Sequence, residues 1–192
     1  RAPHLLIGLP TRYVERRWSP IIEDLPEPEH RRLRAGVSER FGAALTDGLL
    51  MTSRDGARFH RWSEAFVRPG PQRQGNWAYG DNYAAWGLLR TAAALEGAPP
   101  ELSLYITENY WRGPTVFRRC TLRTDGFVSM HAPLSGGTFT TRPVTFTGDR
   151  LELNVATSAA GHVRVEVQDA SGRTIEGFAM DDCACVIGDD LD

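Results

Sequence analysis

The chain has 192 residues, with 22 Lys and Arg residues against 24 Asp and Glu residues and a formal net charge of −2 at pH 7. This balance argues against nucleic acid as the main partner, because duplex binding requires a basic surface that displaces counterions. No apolar run approaches the roughly 18 residues of a membrane-spanning helix, so no membrane partner is expected.

The three cysteines, Cys120, Cys183 and Cys185, are too few for a disulfide framework. Cys183 and Cys185 have one residue between them and no second Cys or His pair nearby, so the sequence predicts no metal site. Because no Gly-rich phosphate loop and no Gly-x-Ser-x-Gly motif is present, no cofactor is expected either. The odd cysteine count favours the reducing cytoplasm over secretion.

The apolar segment His4–Leu9 is the first predicted strand. Because the chain opens at Arg1 directly before it, we expect that further protein precedes this sequence. Residues 15–40 are polar, contain several prolines and show no regular period, which predicts a long surface loop. Its mixed charges indicate a solvated segment and not a phosphate-binding patch. These charged residues are Glu23, Asp24, Glu27, Glu29, Arg31, Arg32 and Arg34.

The segment from Asp47 to Trp62 predicts a strand, a tight turn and a returning strand. We expect Asp55 to cap backbone amides of the turn and Gly56 to adopt a positive φ. Phe59 and Trp62 are then expected to anchor the returning strand in the core. The pattern specifies architecture and leaves Asp47, at its start, as the residue with a possible chemical role.

The rest of the chain is a series of short apolar or alternating runs punctuated by Gly, Pro and Asp, which predicts an all-β protein. Tyr83–Leu89 is expected to be a buried strand, although its Ala and Leu content also resembles a helix. The further predicted strands are Gly48–Thr52, Leu102–Thr107, Phe117–Arg123, Phe127–His131, Arg150–Thr157 and His162–Asp169.

A change of character divides the chain near residue 118. All five Trp residues lie before residue 115, whereas the later part alternates cleanly, with Val163, Val165 and Val167 on one face of a strand. Such alternation is typical of an antiparallel sandwich with one wet face. We therefore predict two domains, residues 1–118 and residues 119–192.

Several stretches carry a resemblance to a known family. Arg1–Tyr13, Thr46–Gly56 and Glu101–Tyr110 are similar to late blades of bacterial glycosyl hydrolase family 32-like proteins, which belong with the five-bladed propeller glycosidases. The later part resembles their C-terminal sandwich, in Leu122–Met130, Gly136–Phe146, Asn154–Glu166 and Gly177–Cys183.

This resemblance implies a partial five-bladed β-propeller, consisting of its last blades, followed by a β-sandwich that is incomplete at its C-terminus. It further implies that the nucleophile of a fructosidase-type enzyme lies on the first blade, before Arg1. The chain is therefore expected to be a fragment of a bacterial carbohydrate-processing protein.

Glycoside hydrolysis requires two carboxyl groups, one of which donates a proton. Glu108 follows a predicted strand and stands beside aromatic residues, so we expect a raised pKa and a role as general acid. Asp47 is a candidate second acid or stabiliser, and Asp81, in an aromatic-rich loop, is a third. Each also has a structural interpretation, as a strand-end residue, a turn cap or ordinary turn chemistry respectively.

The candidate substrate-binding residues combine hydrogen-bonding groups with aromatic faces on which a sugar can stack. Asn82 is expected to bind hydroxyl groups, and His4 and Arg1 are expected to line the same cavity, although a lone His is more often structural. The stacking candidates are Tyr79, Trp86 and Trp111.

The sequence thus favours a glycoside hydrolase that uses carboxylate acid/base catalysis on a carbohydrate substrate. One alternative is a non-catalytic carbohydrate-binding protein without a productive acid pair. A second is a structural or interaction module in which the propeller is only a platform.

Overall fold

The computed structural model describes residues 5–191, so the predictions for Arg1 and His4 lie outside the described residues. The regular structure is mostly strand, which agrees with the all-β expectation, and three short helices are α1 Pro20–Glu23, α2 Pro28–Ala35 and α3 Glu39–Ala43. The strands are β1 Leu6–Gly8, β2 Thr11–Val14, β3 Leu45–Gly48, β4 Met51–Ser53, β5 His60–Arg61, β6 Leu89–Thr91, β7 Glu101–Glu108, β8 Val116–Arg123, β9 Val155–Ala156 and β10 Asp189–Asp190.

The described strands form four small sheets, in the orders β1-β4-β5, β2-β3, β6-β7-β8 and β10-β9, and they do not close a propeller.

The chain divides into two compact units. The first runs to Leu89 and includes Leu102–Thr121, and the second comprises Arg90–Glu101 and the residues from Leu122 onward. The predicted division into propeller and sandwich at residue 118 stays a prediction, because compactness does not identify either architecture.

Antiparallel pairings join the strands at the start of the first unit. In one, Arg12 of β2 lies opposite Asp47 of β3. In another, Leu6 of β1 lies opposite Ser53 of β4. Between β3 and β4, the N–H of Leu49 donates to the Pro10 carbonyl at 2.8 Å, so backbone groups outside the strands are also paired.

The predicted turn after β4 is confirmed. The Asp55 carboxylate accepts the N–H groups of Ala57 and Arg58 at 2.9 and 2.8 Å, and Gly56 has a φ of +74°. The predicted core anchor Phe59 is wrong, because its side chain is 42% exposed. Trp62 is half-buried, and its N–H donates to the Leu50 carbonyl.

Residues 15–40 are not a surface loop: they contain α1, α2 and the beginning of α3. Proline stands at the start of both α1 and α2, where its fixed φ suits the first helical turn and its missing N–H costs nothing. Ile22, Leu25 and Ala43 form a small core, against which Trp18, Leu45 and Trp77 pack. The apolar residues are too few for their period to stand out in the sequence.

Arg31 overturns the expectation of a solvated arginine cluster, because its side chain is fully buried, at 0% exposure. Its guanidinium donates to the carbonyls of Pro26, Gly42 and Trp77 at 2.8, 3.2 and 2.6 Å. It also lies 4.6 Å from the centre of the Trp111 ring. Arg31 therefore joins the helical segment to the loop after Asn76 and to the segment that follows β7.

The predicted strands at Leu102–Thr107 and Phe117–Arg123 are confirmed as β7 and β8. The predicted buried strand at Tyr83–Leu89 is wrong. Only the bridge from Ala84 to Ile106 and the start of β6 are formed, and Trp86 is fully exposed. A positive φ of +92° at Gly87 takes the backbone out of the extended conformation.

In the second unit, β9 pairs with β10, and isolated bridges join Val163 to Val186 and Gln168 to Thr174. The alternating segment 162–169 thus pairs at two points without becoming a regular strand. The predicted strand Phe127–His131 is absent from the described structure, in which Val128 and Met130 are 51% and 70% exposed.

Candidate functional site

Glu108 ends β7, and its carboxylate lies between two arginines. Its Oε2 accepts hydrogen bonds from Arg73 at 2.9 Å and from Arg118 at 2.7 Å, while the side chain is 14% exposed. The hydrogen bond from Arg118, assisted by that from Arg73, lowers the pKa of Glu108, although partial burial opposes the shift. The expected raised pKa is therefore wrong, because two guanidinium groups stabilise the carboxylate.

A cavity of about 460 Å³ opens beside this carboxylate, within the first unit. Three of its lining residues are arginines: Arg73 comes from the loop before Asn76, Arg112 from the segment after β7, and Arg118 from β8. A volume of this size lies within the range of small-molecule sites in proteins. The complete lining is Arg73, Gln74, Glu108, Asn109, Arg112, Val116 and Arg118.

Asp81 lies next to this site but is 2% exposed and does not line the cavity. Its Oδ1 accepts the N–H of Tyr110 at 2.9 Å, and its Oδ2 is buried without a hydrogen-bond partner among residues 5–191. Burial raises the pKa of Asp81, and the nearby Glu108 charge raises it further. Hydrogen bonds from Tyr110 and Asn109 have the opposite effect. The two carboxyl groups thus have pKa values shifted in opposite directions.

Asp47 is engaged in a cross-strand ion pair and does not reach the cavity. Arg12 donates from Nε to Oδ1 at 2.9 Å and from Nη2 to Oδ2 at 2.5 Å. Both oxygens of the 17% exposed carboxylate are therefore used. This bidentate geometry gives Asp47 a structural contact that binds β2 to β3, so the structure does not bring the three predicted acids together.

The predicted sugar-binding residues are also dispersed. Asn82 is 4% exposed and donates to the Thr46 carbonyl at 3.0 Å. Tyr79 packs edge-on against Tyr13 and Tyr110. Trp86 is fully exposed and does not line the cavity.

Trp111 belongs to the core and not to a binding surface. It is 5% exposed, one part of its surface lies against the guanidinium of Arg31, and the His30 ring meets it edge-on at 5.1 Å. In this structure the ring of Trp111 therefore presents no open face on which a sugar could stack, and its role in binding stays a prediction.

Sequence reasoning did not identify the three arginines that line the cavity beside Glu108. Arg118 lies in a strand, Arg73 in a proline- and glycine-containing loop, and Arg112 beside Trp111, so no local pattern joins them. The sequence indicated only that a carboxylate at the end of a strand, Glu108, would need hydrogen-bond donors. The tertiary structure shows which residues supply them.

Within residues 5–191, no group of three or more His, Cys, Asp or Glu side chains is arranged to hold a metal ion. No helix of the described chain is long and apolar enough to cross a membrane. Comparison of the chain with protein-family models, with curated proteins and with solved structures finds no match.

Proposed function

We propose that the cavity beside Glu108 is a carbohydrate site of a glycosidase, and that Glu108 works there as an ionised carboxylate. The observation that carries the proposal is the pair of hydrogen bonds from Arg73 and Arg118, which keep Glu108 charged at the wall of an open cavity. An ionised carboxylate next to a scissile bond is one half of the pair that glycoside hydrolysis requires.

In this role Glu108 acts on the anomeric carbon or on the water that attacks it. As a nucleophile it would form a bond to the anomeric carbon as the glycosidic C–O bond breaks and the leaving-group oxygen takes a proton from an acid. Water would then hydrolyse the bond between the sugar and Glu108 and restore the carboxylate. As a base it would remove a proton from the attacking water. The separation between Glu108 and the acid decides between them, at about 5 Å for a nucleophile and roughly 6.5–9.5 Å for a base.

The proton donor is a separate question, because Glu108 is the one carboxyl group that lines the cavity in the described chain. Asp81 has the raised pKa of an acid, but its carboxyl group is buried behind the backbone of Tyr110. Under this proposal the acid comes from outside the described cavity. Asp81 then serves to position the segment that carries Glu108.

The scaffold that we infer is part of a five-bladed propeller followed by a sandwich, as in bacterial glycosyl hydrolase family 32-like proteins. Short antiparallel pairings such as β1-β4-β5 suit propeller blades. The half-buried alternation of Val163, Val165 and Val167 suits one wall of a sandwich.

A second candidate is a carbohydrate-binding protein without catalysis. It is favoured because the described lining of the cavity contains no carboxyl group besides Glu108: Asp47 is paired with Arg12, and Asp81 is buried. The two functions share a site and differ in whether a bond is broken.

Turnover of a panel of 4-nitrophenyl glycosides, followed by release of nitrophenolate, separates them. A glycosidase is expected to lose at least about 100-fold in kcat in Glu108→Gln, in line with the loss of a catalytic carboxylate. Glu64→Gln, a change at an exposed carboxylate of the same unit, is the matched control. Saturable sugar binding without turnover would establish the second candidate, and neither binding nor turnover would contradict both.

A further inference from the structure

The cavity beside Glu108 has an excess of positive charge. Three arginines line it against one carboxylate. The side chains of Arg73, Arg112 and Arg118 are 50%, 41% and 55% exposed, so all three are reached by solvent. Arg112 also contacts the carboxylate of Glu27, which is 7% exposed. Even when Glu27 is counted, the described residues leave one positive charge of this cluster unbalanced.

The hydrogen-bonding capacity of these arginines exceeds what the protein uses. Among the described residues, Arg73 and Arg118 each donate one side-chain hydrogen bond, and both bonds go to the same oxygen, Oε2 of Glu108. A guanidinium group carries five N–H donors in a rigid planar fork. Because Arg73 and Arg118 share one acceptor oxygen, each guanidinium group retains N–H donors for an anionic group of a ligand.

The rest of the lining suits a polyhydroxylated ligand and not a bare anion. The amide side chains of Gln74 and Asn109 both donate and accept hydrogen bonds, and Val116 offers an apolar patch. Hydroxyl groups and C–H faces of a sugar ring are the complementary chemistry.

We propose that the ligand of this cavity is an acidic sugar, whose carboxylate or sulfate group pairs with Arg73, Arg112 and Arg118. The inference rests on the proposed function, since it names the substrate class of the same site. Arginine suits this task better than a point charge, because its planar fork matches two oxygens of a carboxylate or sulfate at once. Uronic acids and sulfated sugars present the same anionic chemistry and are distinguished by experiment.

Titration calorimetry with matched ligands tests the proposal. Methyl glucuronide is compared with methyl glucoside, and glucose 6-sulfate with glucose, each at low and at raised salt. An acidic sugar is expected to bind at least roughly tenfold more tightly than its neutral partner, with a preference that falls as salt rises. The ligand pair in which the acidic sugar shows the larger gain in affinity over its neutral partner identifies the anionic group as carboxylate or sulfate.

Substitutions of single arginines show which side chains cause the preference for the acidic sugar. Arg73→Gln and Arg118→Gln are each expected to reduce the affinity ratio of acidic to neutral sugar to about threefold or less, because each removes one of the cations that pair with the anionic group. Arg54→Gln, at an exposed arginine away from the cavity, is the matched control and is expected to leave the preference unchanged. Circular dichroism of each variant verifies that it is folded.

The outcomes separate the inference from the function on which it rests. Equal binding of acidic and neutral sugars would overturn the acidic class and leave the carbohydrate site standing. Binding of neither would overturn both. Inorganic sulfate that binds as tightly as glucose 6-sulfate would also overturn the proposal, because the cavity would then recognise an anion without its sugar.

Discussion

The carboxylate of Asp81 accepts the backbone N–H of Tyr110 at 2.9 Å, and this bond holds the segment that follows β7 in place. Glu108 and Asn109, the two residues before Tyr110, line the cavity. Asn109 has a φ of +61°, an uncommon value for a residue other than glycine, so this segment depends on outside contacts for its conformation. Asp81 is therefore a positioning residue for the site.

Replacement of Asp81 by Ala is expected to lower the free energy of unfolding by about 1 kcal/mol, because the part-buried N–H of Tyr110 loses its acceptor. Sugar affinity should fall with it, since Glu108 and Asn109 lose their support. Urea denaturation measures the first effect and calorimetry the second. Unchanged sugar binding in a folded Asp81→Ala protein would contradict the positioning role.

The pH dependence of stability tests the state of Asp81. Because burial raises the pKa of Asp81, the folded protein holds this proton more tightly than the unfolded chain. The resulting stabilisation is present below the ordinary pKa of Asp and is lost as the pH rises through the raised value. Asp81→Asn does not titrate, so its stability relative to the wild type should increase over this interval. A constant difference in denaturation midpoint across the interval would contradict the assignment.

Glu108→Gln is expected to affect catalysis and anion binding in opposite directions. Hydrolysis should be lost with the carboxylate. Affinity for an acidic sugar should rise by about two- to fivefold, because Arg73 and Arg118 no longer share their charge with Glu108. Calorimetry with methyl glucuronide measures the second effect. A fall in that affinity would mean that Glu108 itself contacts the ligand through a hydrogen bond that the amide cannot replace.

Acidic pH should weaken the interactions of Glu108 with Arg73 and Arg118, because the carboxylate then becomes protonated. Hydrogen bonds from Arg118 and Arg73 lower the pKa of Glu108, so the stability that they contribute is present above the ordinary Glu pKa. It is lost as the pH falls through the lowered value. Glu108→Gln should therefore lose less stability than the wild type over this acidic range, as followed by thermal melting. Equal losses in the two proteins would exclude ionisation of Glu108 as the source.

Arg31→Lys is expected to destabilise the protein by about 3 kcal/mol, because a lysine has three donors and cannot reach the carbonyls that the buried guanidinium joins. Burial lowers the pKa of Arg31 to about 10, so it remains charged at neutral pH. Arg32→Lys is the matched control, since its ion pair with Glu23 is exposed and screened by solvent, and lysine keeps the charge. Similar denaturation midpoints for the two variants would refute the structural role of Arg31.

Gly80→Ala tests the packing around Tyr110. A Cβ at Gly80 would lie 2.2 Å from Cδ1 of Tyr110, whereas one at Gly70 would meet no atom within 4 Å. Both glycines have a positive φ, +97° at Gly80 and +75° at Gly70. Gly70→Ala is therefore the control: it strains the backbone in the same way but brings no contact with a neighbouring side chain. We expect Gly80→Ala to lose about 2 kcal/mol more than Gly70→Ala, as for overpacked cores. Equal losses would show that Tyr110 moves aside freely.

Local chemistry made some elements predictable. The turn at Asp55 and Gly56 needs only side chains that cap neighbouring amides and a residue that tolerates positive φ. β7 and β8 are longer runs rich in β-branched or alternating residues, and their extents follow from that pattern. Short helices such as α2, with few apolar residues and a proline at the start, lack a period from which they could be recognised.

By itself, the sequence determined the mostly-strand class, the tight turn after β4, the two long strands and the choice of Glu108 as a residue of interest. Only the tertiary structure decided that Arg31 is buried, that Asp47 is paired with Arg12, and that Glu108 is ionised between Arg73 and Arg118. The physical reason is that turn formation and strand periodicity arise from neighbours in the chain. The charge state of a carboxyl group depends instead on which distant residues lie within hydrogen-bonding distance of it.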